Sequence, residues 1–248
     1  MFDELSGTWW DESGVLHGLG VLLAPVRTPF VIEVLTELGN ESRRVLDLGA
    51  GGGLLAEPIV AAGFSVVALD PSLLSLQAAK NHSALTDSGI TFVGGVGEAL
   101  PFLDASFDAV LCMEVLEHVD DAAPVVAEAG RVLRPGGIFI FAGPNRTVIN
   151  GVGLLFVAQD LLGLVPRGTH QWSRLVRPDE MERYMRASGI EPTEMLGVGI
   201  RVRHVPRAAL ALIGLLARRL THPETARQIE LVTRRGKWLA YQGFGVRR

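Results

Sequence analysis

Asp47 ends the apolar run Val45–Leu48 and is followed by glycines at 49, 51, 52 and 53, which makes this stretch the strongest chemical signal in the chain. Glycines let the backbone turn tightly and leave room for a ligand to lie directly against it. Asp70 closes a second apolar run, Phe64 to Leu69. It falls about 20 residues after the first glycine, where a carboxylate can accept hydrogen bonds from both hydroxyls of a ribose. An acid, a side-chain-free bend and a second acid at that distance describe a nucleoside site. A nicotinamide dinucleotide fits less well, because the sixth place of G-x-G-x-x-G, which wants a glycine for helix packing, is Leu54.

A second group of reactive residue types lies at Glu114, Glu117 and His118. If the chain turns into a helix there, the i, i+3, i+4 spacing puts all three on one face, at the carboxyl edge of a sheet and beside the bend. Two carboxylates and an imidazole so placed can hold Mg²⁺ or another divalent ion, or take a proton from a hydroxyl nucleophile. Acids and histidine also occur at a helix's first turn for dipole reasons alone. Asn145 offers one more oxygen, and His170 is either a pocket residue or a loop cap.

The elements that would position these residues alternate. Apolar, β-branched runs at 45–48, 66–69, 90–93, 109–112 and 138–142 read as strands, with helices at 29–38, 54–62, 73–84 and 122–133 between them. Stretches 193–200 and 239–246 supply an antiparallel hairpin. The expected fold is α/β: a doubly wound, mostly parallel sheet of seven strands, with helical caps, in a single domain over 1–248. Residues 1–40 form an N-terminal helical cap. Residues 151–175 and 205–236 are apolar or basic insertions over the site.

From about Arg43 to Gly143 this order resembles class I S-adenosylmethionine-dependent methyltransferases, with Phe107–Val110 and Leu133–Gly137 each leading into a strand. A narrower resemblance, over most of residues 5–185, is to the ubiquinone-pathway 3-O-methyltransferases. It is carried by Trp9-Trp10-Asp11-Glu12, Pro25-Val26-Arg27, Cys112 to Val119 (CMEVLEHV), Pro144-Asn145-Arg146-Thr147 and Arg167 to Trp172 (RGTHQW). The resemblance implies S-adenosylmethionine as cofactor, with Asp47 orienting its ammonium group, Gly49 and Gly51 making room for the methionine part and Asp70 clamping the ribose. Backbone around Val96 and Gly97 would take the adenine, although relatives carry an acid where this chain has Val96. Met113 and Arg27 complete the cofactor set, Arg27 facing the carboxylate.

The reaction so implied is methyl transfer to a phenol, catechol or enol oxygen of a hydrophobic acceptor. Glu114, Glu117 and His118 would be the catalytic and metal residues, and Trp9, Trp10, Asn145, His170 and Trp172 would line the pocket. Leu22, Leu23 and Ala24 replace polar residues of the family, which points to an acceptor unlike the ubiquinone precursor. Two other classes stay open at this point: a catalytically silent binding protein, and a nicotinamide-dependent oxidoreductase, against which Leu54 and the lack of a Tyr-x-x-x-Lys pair argue.

Composition suits one enzyme. The 248 residues are 48% hydrophobic, ample for a core. A lone cysteine, Cys112, excludes an internal disulfide framework. There is no secretory signal pattern and no run of the ~18 apolar residues a membrane span needs, so the cytoplasm is the expected location. Residues 1–150 carry 7 basic against 19 acidic side chains, and residues 151–248 carry 16 against 8. That cationic half suits solvated helix faces or an anionic surface. Nucleic acid is not expected, since the basic residues lack interleaved aromatic platforms. The apolar stretches 151–166 and 206–219 read as cap helices, as a lid, or as a surface resting peripherally on a membrane; the resemblance favours the membrane for the first.

Overall fold

In the computed structural model, residues 2–37, 44–150, 171–201, 204–217, 219–237 and 239–248 are described. An N-terminal arm, α1 (Phe2–Leu5) followed by a 3-10 turn at Ser6–Thr8, leads into α2 (Val15–Glu37). Strands and helices then alternate: β1 (Arg44–Leu48), α3 (Ala56–Ala61), β2 (Ser65–Asp70), α4 (Leu73–Thr86), β3 (Thr91–Gly94), β4 (Phe107–Met113), α5 (Ala122–Val132) and β5 (Leu133–Pro144). After α6 (Val148–Asn150) come α7 (Pro178–Ala187), β6 (Ile190–Ile200), α8 (Val205–Leu216), α9 (His222–Ala226), β7 (Leu231–Arg234) and β8 (Ala240–Arg247).

The strands make one sheet in the order β3-β2-β1-β4-β5-β8-β6-β7. Strands β1 to β5 pair in parallel, whereas β8 runs antiparallel to both β5 and β6. Central strands buried on both faces should read as apolar runs: β2 does over Val66–Leu69 and β4 over Ala109–Met113, while β1 is interrupted by Asp47. One face packs Val110, Phe139, Phe141 and Tyr241 against α5 and α7; the other packs Leu111, Ile138 and Ile140 against α2 and α3. Helix starts are fixed locally: the Ser72 side chain accepts the Ser75 N–H at α4, and Asp121 accepts the Ala123 N–H at α5.

Three expectations change in detail. The sheet has eight strands rather than seven, because β7 adds an antiparallel edge beside β6. The last two expected strands are antiparallel neighbours, but α8, α9 and β7 lie between them, so they are no hairpin. Helix α2 begins at Val15 instead of Pro29 and contains both Pro25 and Pro29. Its first half packs on α9, where Gly18 meets His222 and Pro223 so closely that a side chain would collide. That tertiary contact outweighs the local cost of the prolines. By length and composition α2 could also cross a bilayer. Here its second half is core, with Val31, Val34 and Leu35 buried.

Candidate active site

The carboxyl ends of β1, β2, β4 and β5 share one edge of the sheet, the edge at which open α/β sheets bind ligands. Asp47 sits there, 3% exposed, with Oδ2 unpartnered. Burial, with a smaller contribution from the neighbouring Asp70 charge, pushes its pKa up to about 7. A carboxylate so starved of partners is matched to a cation, such as an ammonium group. Asp70 ends β2, and its two oxygens accept the N–H groups of Gly51 and Ser72, each at 2.8 Å. Burial raises its pKa as well, against those two hydrogen bonds. Each oxygen keeps a lone pair for a ribose hydroxyl.

The glycine bend has the expected conformation, with positive φ at Gly49, Gly51 and Gly53. Its bare face is not open, however. A side chain on Gly51 or Gly52 would run into the Trp9 indole, and one on Gly49 into Val115. The indole is tied down by a hydrogen bond from Nε1 to Ser75 Oγ (3.0 Å). Trp10 donates to Gly52 O (2.8 Å) and stacks on His82 at 3.4 Å, so it pins the arm to the bend and to α4. Asp3 accepts from Ser72 Oγ at 2.5 Å.

The Glu114–His118 segment departs from its expected form. Glu114 has φ 58° and donates its N–H to Ala142 O, and Leu116–His118 is a 3-10 turn, so the three side chains do not share an α-helical face. The physical reason is the sharp exit from β4 at Glu114. Its carboxylate pairs with Arg27, which is therefore engaged here and not turned to a ligand's carboxylate. Glu117 is 2% exposed, hydrogen-bonded to Glu114, and has Oε1 without a partner. Burial first, then the Glu114 charge, raises its pKa well above the usual carboxylate range. Among the described residues no three acids, histidines or cysteines are grouped to hold a metal. Glu114, Glu117 and His118 as placed do not fit the expected divalent site.

Of the other expected residues, Met113 is buried at the end of β4, and Gly97 packs against Leu48 and Val125 beside the half-exposed Val96. Asn145 is buried, donating to Lys237 O at 2.5 Å with Oδ1 unpartnered. Trp172 is 43% exposed. His170 and residues 151–166 lie outside the described residues. Glu117 borders a small hollow whose other walls include Leu116, Ala142, Val176, Met181 and Tyr241. Sequence reasoning missed Gln242: it is fully buried on β8, facing Ala142 and Leu196 across the sheet, with both amide atoms unpartnered. A glutamine inside an otherwise apolar central strand was the available signal.

A methyltransferase-domain family matches residues 46–141, the span that carries the bend, both acids and β4. The fold is shared with the PH0226 protein of Pyrococcus horikoshii, at a TM-score of 0.65 and 17% identity over 97% of this chain and 95% of that one. Fold, bend and buried acids thus define an S-adenosylmethionine-dependent methyltransferase. The ubiquinone biosynthesis O-methyltransferase of Rhizobium etli is 36% identical over 206 residues, covering 79% of this chain and 83% of that one. That of Alkalilimnicola ehrlichii is 37% identical over 201 residues, 79% of each chain. The chain belongs to the ubiquinone biosynthesis O-methyltransferase family.

Proposed function

We propose that the enzyme methylates a hydroxyl oxygen, phenolic or enolic, of a hydrophobic small molecule. The observation that carries this reading is Glu117: a buried carboxyl with a free oxygen and raised proton affinity, at the edge of a mostly apolar hollow. Bound S-adenosylmethionine would supply an electrophilic methyl group, with Asp47 on its ammonium and Asp70 on its ribose. The chain's own task is to orient the hydroxyl and remove its proton. A phenol with a pKa near ~10 stays protonated at neutral pH, so a base must assist. A carboxylate with elevated pKa is better matched to that proton than an ordinary one.

The step balances simply. The hydroxyl oxygen attacks the methyl carbon, the carbon–sulfur bond breaks, and the proton passes to Glu117, with the Glu114–Arg27 pair holding the neighbouring charge in place. His118, partly buried at the end of the same 3-10 turn, is the second candidate proton carrier. No step passes through a metal, because Arg27 occupies the Glu114 carboxylate.

The hollow beside Glu117, about 10 Å³ with mostly apolar walls, has room for no more than a water, so an acceptor ring would reach Glu117 only by moving the side chains around it. The family and the apolar composition of stretch 151–166 support a peripheral membrane contact. The test is titration calorimetry with S-adenosylhomocysteine, followed by methyl-transfer assays on 4-alkylcatechols with and without EDTA. Saturable binding, and turnover that survives EDTA, are expected. Absence of binding would end the reading; turnover abolished by EDTA and restored by Mg²⁺ would reinstate the metal.

A further inference from the structure

The rim of the sheet beyond Asp70 is apolar and exposed. Asp70 pairs with Gly94 of β3, and the Gly95 N–H donates to Asp70 O at 3.2 Å, so residues 94–97 continue directly from the ribose acid. Leu73, in the first turn of α4, lies over Gly94, where a side chain would stand 2.8 Å from its Cδ2. Yet Leu73 is 69% exposed, Leu74 next to it 55%, and Val96 46%. A single exposed leucine needs no explanation, but three large apolar side chains grouped at a ligand-binding edge mark a contact surface.

The order of the strands says what that surface meets. The cofactor is a linear molecule, amino-acid end, ribose and base in turn. Asp47 on β1 is matched to its ammonium group and Asp70 on β2 to its ribose, and the next strand outward is β3, one spacing of about 4.8 Å further on. The base therefore falls on residues 94–97 and on Leu73. A purine carries its exocyclic nitrogen on the side away from the sugar bond, so that nitrogen points outward, past Val96.

The acids nearby do not stand ready for it. Glu128 is taken by the Leu100 N–H and by Arg131, and Asp3 by Ser72 Oγ. Glu98 is exposed on the turn that the Val96–Ala99 bridge closes. We infer that Leu73 and Val96 hold the base by apolar contact without a side chain reading its exocyclic nitrogen, so that the enzyme accepts cofactors alkylated at that nitrogen. An apolar substituent there would extend over Val96 and Leu74 and remove both from water.

Titration calorimetry tests this with no assay of turnover, so its failure is separate from that of the proposed reaction. The ligands are S-adenosylhomocysteine and its analogues carrying an N6-benzyl or an N6,N6-dimethyl group. Wild-type protein is expected to bind both analogues within about threefold of the parent, or tighter. Val96→Asp, which places a carboxylate at the rim, should shift the preference toward the parent by roughly tenfold. Leu73→Ala should weaken all three ligands by about fivefold, and both variants should keep the circular dichroism of wild type. Wild-type discrimination of tenfold or more against the dimethyl analogue would overturn the proposal whatever the variants do. So would a tenfold loss confined to the parent ligand in Asp3→Ala or Glu98→Ala, which would give the exocyclic nitrogen a side-chain partner. Binding of none of the three would remove the cofactor and this use of the rim with it.

Discussion

Glu117 and Gln242 show how much a single buried polar atom can decide. Glu117 can accept a proton only when ionised, and its pKa lies above the carboxylate range. The sign follows: kcat/KM should rise with pH through that raised value, giving an acid limb well above pH 4.5. Glu117→Gln should lower kcat by about 10²–10⁴ and remove the limb. A pH–rate profile that is unchanged in the variant would exclude Glu117 as the base. Gln242 makes the opposite argument. A buried amide with neither atom paired costs about 1–3 kcal/mol per unsatisfied group, so something other than the empty fold keeps it. Gln242→Leu is expected to raise the melting temperature of the empty enzyme by a few degrees and to weaken whichever ligand pairs with the amide, read as the S-adenosylhomocysteine Kd and the acceptor KM. Lower stability, with KM unchanged, would make the residue structural.

At the scale of elements, the N-terminal arm governs access to the bend. Trp9 rests on Gly51 and Gly52, held by Ser75, while Trp10 holds Gly52 and His82. A nucleoside seated against those two glycines must displace the indole. Trp9→Ala should therefore bind S-adenosylhomocysteine faster than wild type in stopped flow, and the ligand-induced change in tryptophan emission should be lost. An unchanged association rate would show that the arm never blocks the bend. The sequence made the bend legible because positive φ at Gly49, Gly51 and Gly53 leaves an unmistakable composition. The use of that bend by Trp9 was not legible, since it depends on a contact between residues some forty positions apart. The same limit explains Glu114: a helical spacing suggested one face, but a glutamate at φ 58°, held by its N–H to Ala142 O, has no local sequence signature. The five parallel strands were legible because buried parallel strands need apolar runs, whereas the short edge strand β7 was missed and the start of α2 was hidden by its two prolines.

Over the whole molecule, the buried acids couple folding to binding. Asp47 titrates near 7 in the fold and near ~3.9 in an unfolded chain, and Asp70 and Glu117 shift the same way. Between those values the folded state binds more protons than the unfolded one, so stability from these groups is greatest below pH 4 and is lost as pH rises through 7. Global unfolding in urea should therefore show the empty enzyme losing stability between pH 5.5 and 8, on the order of 1–3 kcal/mol after other titrations are allowed for. A bound ammonium would reverse the bias by favouring ionised Asp47, so S-adenosylhomocysteine should stabilise most at high pH, with proton release on binding below pH 7. Asp47→Asn should flatten the pH slope of the empty enzyme and weaken the ligand at every pH. If the empty enzyme instead gains stability from pH 5.5 to 8, and Asp47→Asn leaves that trend in place, then the acid at the end of β1 is already paired in solution and the edge of the sheet is not held in a strained, ligand-ready state.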